Sequence, residues 1–582
     1  MPELKNIDAP NLVTRIQQDY EFAKAEREVH EPDWLAARQQ FNCEWSELQE
    51  VEADEDINNK WLYVPTTLRH LQRIKATIQL YLFGAQDARI FRTSTRSATP
   101  MRQLAVLILD EILHVLVDIQ LRPQRQIMDA THTGLLDGQG ILKAGWRPGK
   151  NSGPTLTFVQ NEHILMDPYA LTPRKARFFI HEVWLDEEQL WDRQRRGIYK
   201  NVQGIVGAGN NSDTSQSEWY KDIRGPANNS KRLYKVLEYW GPQQLIGPDA
   251  LEAMHRQGKH EPAQSIVATM HQDKLLRVET NPYAKLFTNP TPGEQLPFFI
   301  LSPIPDAGSL YGRAMALDVR SLQREINAKR NQRVQAVDME MSSKIFFDQT
   351  KLTDLKALWR ATYGGAVPVR GNPRDAIYDY KPQTSTQNMM QEQAVLEREF
   401  GDVTGVQDPH MGRNPGAQRT ATGVISLINE GNATQDTMIA NIVSGTLVPM
   451  MNFFAACALK YVKPAQVAEL IGADEPPPDF WTELVGKDYL LEMEAGSSAT
   501  NKQMELQRIQ MAMNTYGQIA QITPEVAIPA IAALTERMMR LLGLGDIAGA
   551  AMLSGGQPPS SSPQQGQQAA PAPQGQPQPV GV

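Results

Sequence analysis

The sequence predicts an α+β protein of several lobes, on three observations. A charged, amphipathic and helical opening gives way near residue 136 to short β-rich runs separated by Gly, Pro, Asn and Ser clusters. From Arg313 to Tyr363 the chain carries no Gly or Pro, and its apolar residues fall at helical spacing. Strand runs followed by helical runs, rather than a strict alternation of the two, are the pattern of α+β architecture. With 582 residues, 41% of them hydrophobic and 21% charged, the chain can bury ample core in several domains or one multilobed protomer.

The first three helices are expected over Asn11–Gln49, Trp61–Phe83 and Met101–Arg122. The segment "LAVLILDEILHVLVDIQL" is too apolar for an exposed helix, while Asp110, Glu111 and Asp118 are too many charges for a membrane span, so it is read as a core helix. Strands follow in "ILKAGW", "TLTFVQ", "RFFIHEVWL", "RLYKVLEYWG" and "FFILSPI", with "GAGNNSDTSQSE" as a surface loop. Thr437 to Leu459 is uncharged and long enough to span a bilayer. Thr437, Asn441, Ser444 and Asn452 nevertheless line one face, with Gly445 and Pro449 inside, which is the pattern of a bent helix buried in protein. A last helical region is expected from Lys502 to Leu544. The Pro/Gln/Gly/Ser tail beyond it has almost nothing to bury and is read as disordered.

Several classes are excluded or disfavoured. Cys43 and Cys457 are the only cysteines, too few for a disulfide scaffold or the usual cysteine zinc site, and they suggest a reducing compartment. The start, "MPELKNIDAPNLVTRIQQDYEF", lacks a basic n-region followed by an apolar run, so the protein is expected to stay in the cytoplasm where it is made. No Gly-x-x-x-x-Gly-Lys-Ser/Thr occurs, which disfavours a P-loop ATPase. Gly138 and Gly140 follow a helix and precede a strand, the reverse of a dinucleotide loop, and read as a structural turn. There is no His-Glu-x-x-His pair and no Gly-x-Ser-x-Gly elbow. His163 and Asp167 are read as a core histidine beside an Asp-Pro turn rather than an acid/base pair, and "EVEADED" at Glu50 as a solvated charge run rather than a cation site. No catalytic residue, cofactor or metal ligand is expected.

The most informative stretch runs from Leu310 to Thr420. Met315, Val319, Leu322, Ile326 and Val337 mark one helical face, and Arg320, Arg324, Lys329, Arg330 and Arg333 outnumber Asp318 and Glu325 on the others. Five such cations are either a solvated face with local ion pairs or a surface for phosphates, and their spacing leaves both open. A Gly/Pro/Asn/Arg-rich loop, "GVQDPHMGRNPGAQRT", follows a second helix containing "QNMMQEQAVLEREF".

The arrangement resembles the portal proteins of tailed bacteriophages, especially the podovirus type. "YGRAMALDVRSLQREINAKRNQ" looks like the family's Tyr-Gly opening of a stem helix with its Gln and Asn positions. "LLDGQGILKAGW" and "FVQNEHILMDPYA" look like its glycine turn, short strand and Asp-Pro segment. "GRNPGAQRTATGVISLINEGNATQDTMIANIV" resembles its channel loop and the long helix after it. The resemblance implies a wing over 1–306 (helical 1–135, β-rich 136–306), a first stem helix over 307–340, a small α/β clip over 341–382 and a second stem helix over 383–405. It further implies a channel loop over 406–420, a wing return with a long helix over 421–500, crown helices over 501–553 and a disordered tail over 554–582.

By the same resemblance, His410, Arg413, Asn414 and Arg419 face DNA in the channel, and the five stem cations form a basic face. The implied protein is no enzyme but a ring of about twelve subunits with closed cyclic symmetry. It would sit at one capsid vertex of the virion, after assembly in the host cytoplasm, as the conduit for genome packaging and ejection. Its implied partners are double-stranded DNA without sequence preference, the terminase large subunit, head-completion or tail adaptor proteins, and capsid or scaffolding protein, with no membrane. A head-tail adaptor and a divergent nucleic-acid-processing enzyme are the alternatives.

Overall fold

The computed structural model describes residues 9–44, 62–84, 91–94, 100–149, 152–206, 233–243, 264–287, 290–341, 344–352, 368–380, 386–406, 433–471 and 490–493, with isolated positions at 356, 509–510 and 513. The chain divides into two units, Met1–Gly496 and Ser497–Val582. The second, which holds the expected crown helices and tail, lies almost wholly outside the described residues, as does "GAGNNSDTSQSE".

Helix and sheet are mixed as an α+β chain requires. Helix α1 (Ala9–Phe41) is followed by α2 (Thr66–Phe83), β1 (Phe91–Ser94), α3 (Pro100–Leu113) and α4 (Gln124–Asp137). Two sheets come next. The three-stranded sheet has the order β3-β2-β9, from β2 (Gly140–Arg147), β3 (Gly153–Val159) and β9 (Phe298–Leu301). The five-stranded sheet runs β4-β5-β6-β7-β8, from β4 (Ile164–Met166), β5 (Phe179–Asp186), β6 (Leu233–Gln243), β7 (Gln264–His271) and β8 (Lys274–Thr280). Its neighbours are antiparallel, with Val183 opposite Val236 and Tyr239 opposite Ala268.

Alternation of side chains along these strands gives the sheet two buried faces. Leu165, Phe178, Ile180, Leu237, Tyr239 and Ala268 meet Leu12, Ile16, Tyr20 and Ala23 of α1. Ile164, Met166, Phe179, Trp240 and Val267 belong to the main core, shared with α2, α3, α4 and the three-stranded sheet. Helix α5 (Glu187–Arg195) closes the far end on Leu185, Tyr234 and Val236. It starts there because Asp186 accepts from the Gln189 backbone N–H at 2.8 Å while the Gln189 side chain accepts from the Asp186 N–H at 3.2 Å, a reciprocal capping box.

The expected boundaries shift for physical reasons. The Trp61–Phe83 helix begins only at Thr66, because residues 62–64 give their backbone groups to side chains elsewhere and Pro65 is the N-cap. The Met101–Arg122 helix ends in π-turns over His114–Leu121, capped by Arg122 in the left-handed region at φ 50°. The uncharged segment lies in α8 (Ala433–Tyr461), the one helix among the described residues long and apolar enough to cross a membrane; 61% of that apolar window is buried inside the fold. In α8 a π-turn at Val443–Leu447 lies ahead of Pro449, two features of the kind that bend helices. Two of its polar side chains bind the β9 edge region, Thr446 Oγ1 donating to the Ile300 carbonyl at 2.6 Å and Asn441 Nδ2 to that of Pro303 at 3.0 Å.

Between β9 and α8 lie α6 (Arg320–Met341), β10 (Lys344–Phe347), β11 (Ile377–Tyr380) and α7 (Thr386–Thr404). β10 and β11 pair antiparallel, Phe346 opposite Tyr378. Helix α9 (Pro464–Ile471) and β12 (Leu490–Met493) follow, and β12 returns to pair with β1.

Candidate functional site

Helices α6 and α7 form an antiparallel hairpin around a small apolar seam of Val319, Ile326, Leu396 and Phe400, flanked by Leu322 and Val64. A single helical turn, Met315–Asp318, precedes α6 and breaks at Val319, whose φ and ψ are −101° and 8°. The apolar face expected from sequence holds through Met315, Val319, Leu322 and Ile326 but not at Val337, which is 38% exposed; Ala336 is the buried neighbour.

What the seam lacks in apolar contact a buried polar ladder supplies. Gln323, Asn327 and Asn331 recur every fourth residue, so they stack on one side of α6, and all three are buried. Their amides serve the extended segment ahead of α2 as a neighbouring strand would. The Leu62 N–H donates to Asn331 Oδ1 at 2.8 Å, and Asn331 Nδ2 to the Leu62 carbonyl at 3.2 Å. The Val64 N–H donates to Asn327 Oδ1 at 2.9 Å, and Gln323 Nε2 to the Val64 carbonyl at 2.7 Å. The Thr67 N–H and hydroxyl both donate to Gln323 Oε1, at 3.0 and 2.9 Å. Replacing Gln323 by Leu strands the Thr67 N–H and the Val64 carbonyl. We expect a loss of about 2–4 kcal/mol in urea unfolding, since a buried group left without its partner costs about 1–3 kcal/mol. Leu at exposed Gln332 is the control.

The hairpin's origin is held by two glycines that sequence reading placed in separate motifs. Gly138 ends α4 at φ +88°, and a Cβ there would lie 2.1 Å from the Gly312 carbonyl oxygen. A Cβ on Gly312 would lie 2.2 Å from the Gly138 oxygen and 2.0 Å from Ser302 Oγ, which itself donates to the Gly138 carbonyl at 2.9 Å. The glycine turn and the Tyr-Gly motif are thus two sides of one backbone contact. Tyr311 is buried beside it, stacked on His30 with ring centroids 4.2 Å apart.

At its other end, α7 is fixed to α2. His70 Nδ1 lies 2.8 Å from Thr404 Oγ1, and its ring meets Phe400 edge-on. Gly405, at φ +69°, turns the chain, the Val406 N–H returns to the Gly401 carbonyl at 3.1 Å, and Gln435 Nε2 reaches the Gly405 carbonyl at 3.4 Å. The two ends of the segment between Val406 and Ala433 are therefore joined at one buried base. His410, Arg413, Asn414 and Arg419 lie on that segment, outside the described residues.

The five α6 cations do not share one side. At about 100° per residue, Arg320 and Arg324 lie near one another, and Lys329 and Arg333 lie on the opposite side. Lys329 pairs with Glu392 of α7 at 2.9 Å. Arg320, Arg330 and Arg333 are partly exposed and have no ion-pair partner among the described residues.

Two polar clusters away from the hairpin are engaged inside the fold. Burial opposes ionisation of Asp167, but its hydrogen bonds from Arg177 outweigh it and hold the carboxyl below the usual range. Asp167 therefore serves Arg177. A cleft of about 360 Å³ between α1, α4 and β3 is lined by Arg38, His132 and Phe158. Burial, aided by Lys75, lowers His132 to about 4, so its ring is neutral at pH 7. Arg38 is committed to Asp137 and Glu162. Among the described residues no group of three His, Cys, Asp or Glu side chains could hold a metal ion.

The family match makes the chain a phage portal protein of the podovirus type. It belongs to the family described as the Phage SU10 portal protein, which it matches over residues 146–578. No curated protein matches the chain. The family match begins in β2, so α1 to α4 lie outside it, yet Arg27 and Arg38 of α1 bind Glu182 and Glu162 within it.

Proposed function

We propose that the chain is the protomer of a portal ring of about twelve subunits at one capsid vertex, joined by head-to-tail contacts. The ring would be the conduit for packaging and ejecting the genome, and the platform on which the terminase motor and then head-completion or tail proteins dock. Capsid or scaffolding protein would contact the wing. The observation that carries this reading, beside family membership, is the hairpin itself. Four seam residues cannot bury two helices of this length, and Val337, Met390, Val395 and Val403 stay 38%, 58%, 52% and 44% exposed. Lateral packing against copies of the same hairpin would cover them. Mass photometry of the purified chain at micromolar concentration should show one closed assembly of about a dozen copies; monomers and dimers alone would overturn the ring.

A formal charge of −8 suits a conduit, because every phosphate neutralised adds salt-dependent affinity that would stall DNA. Arg413 and Arg419 are the only Arg or Lys from Val406 to Thr420, and we assign them the sliding contact with the phosphate backbone. Replacing both by Ala is expected to leave rings and motor docking intact while altering packaged DNA length or retention. Loss of rings would instead make them subunit-bridging ion pairs, and unchanged packaging and retention would remove the DNA contact.

A further inference from the structure

The loop from Asp167 to Arg177 links β4 to β5 and is more rigid than its exposure suggests. The Asp167 side chain, 1% exposed, accepts from the Tyr169 N–H at 3.2 Å, the Arg177 N–H at 3.1 Å, Arg177 Nε at 2.7 Å and Arg177 Nη2 at 2.9 Å. Ala170 and Ala176 are buried beneath the loop. Behind it, the Pro173 carbonyl lies so close to Gly293 that a Cβ there would sit 1.9 Å away. On this base the Tyr169 ring stands 73% exposed, 5.1 Å from the Phe22 ring on α1 and 5.5 Å from the Arg177 guanidinium. Phe22 and Leu171 are 44% and 52% exposed, and the side chains of Arg174 and Arg177 are 71% and 53% exposed.

None of this serves the hairpin or the channel. Exposed Tyr and Arg on a loop that needs no ordering are the composition and rigidity of a protein-docking hot spot. Arg177 spends two of its five N–H groups on Asp167, and Lys175 has no ion-pair partner among the described residues. Arg174 meets Glu294 only at 3.8 Å. These cationic donors share the loop with exposed Tyr169 and Leu171, so a complementary partner carries carboxylates beside aliphatic side chains. Nucleic acid fits less well: Phe22 and Leu171 offer exposed apolar surface that a phosphodiester backbone does not cover, and Arg177 already lies 5.5 Å from the centre of the Tyr169 ring on which a base would stack. We propose that the Phe22–Tyr169–Arg177 cluster, with Leu171, Arg174 and Lys175, is a docking surface for an acidic peptide segment bearing aliphatic side chains.

The test is anisotropy titration of the full chain with a labelled acidic peptide, for which the chain's own residues 45–61, "WSELQEVEADEDINNKW", provide a suitable sequence. Binding should weaken with salt and fall about tenfold or more in both Y169A and R174E/K175E, the effect of one hot-spot residue. Melting temperature and oligomeric state should not change. A second protein with amides at Glu47, Glu50, Glu52, Asp54, Glu55 and Asp56 is titrated in parallel. Binding that appears only there means that the chain's own acidic run occupies the surface, which supports it. Absence of binding to both proteins, equal binding to the variants, or displacement of the peptide by duplex DNA would overturn the proposal.

Discussion

Replacing Gly138 by Ala is expected to destabilise the chain by about 3–6 kcal/mol, and Gly197→Ala by about 1–2 kcal/mol. Both residues have left-handed backbones, at φ +88° and +73°, so both variants pay the strain of a side chain there, about 1–2 kcal/mol. They differ in what the new Cβ meets. At Gly197 nothing lies within 4 Å, whereas at Gly138 the Gly312 carbonyl oxygen lies at 2.1 Å and its carbon at 2.6 Å. Those are backbone atoms at the head of the hairpin and cannot rotate aside. Forcing them apart is overpacking, about 1–3 kcal/mol, and it threatens the Ser302 bond to the Gly138 carbonyl, worth about 1 kcal/mol more. Urea midpoints of the two variants measure the difference directly. Equal losses would mean that only backbone strain matters at Gly138 and that its approach to Gly312 is loose. On the proposed ring, the same variant should reduce ring yield, because the contact sets where the α6–α7 hairpin leaves the sheets.

How much was legible depended on whether the signal was local. The runs at β2, β3, β5, β6 and β9 could be read because each is an apolar stretch bounded by turn residues. The β7–β8 hairpin was not, since Gln264–His271 and Lys274–Thr280 mix polar and apolar residues and Gln272, at φ 50°, makes a turn without the usual glycine. Gln323, Asn327 and Asn331 did carry a readable sign, three amides at four-residue spacing beside an apolar seam. The meeting of Gly138 with Gly312 did not, because nothing near a glycine tells which distant backbone will fill the space of its missing side chain. Arg27 and Arg38 were unreadable for a related reason. On an amphipathic, charged helix they look like solvated charges, and only the fold brings Glu162, Glu182 and Asp137 to them.

Arg38→Met carries the second large expected effect, about 3–5 kcal/mol, the cost of removing one partner from a buried ion pair. Arg38 binds Asp137 through Nε, at 3.1 Å, and through Nη2, and binds Glu162 through Nη1. Asp137 is further held by Asn161 Nδ2 at 3.0 Å, and Asn161 also donates to the Gln139 carbonyl at 2.9 Å. The variant leaves two buried carboxylates facing each other one residue from Gly138. Burial already pushes the Asp137 carboxyl up to about 7 against the pull of Arg38, from an ordinary value of 3.8. A carboxyl that holds its proton more tightly folded than unfolded stabilises the fold at acid pH, and that contribution is lost as pH rises between the two values. Removing Arg38 removes the pull, so the cost should be smaller at pH 5, where Asp137 is neutral, than at pH 8. The triple variant R38M/D137N/E162Q removes the charges together and should recover most of the loss, because no charge is left unpaired and Asn161 Nδ2 keeps an acceptor in the amide at position 137. A loss independent of pH, or a triple variant no better than R38M, would mean that Arg38 acts by packing its stem in the cleft beside His132 rather than by charge.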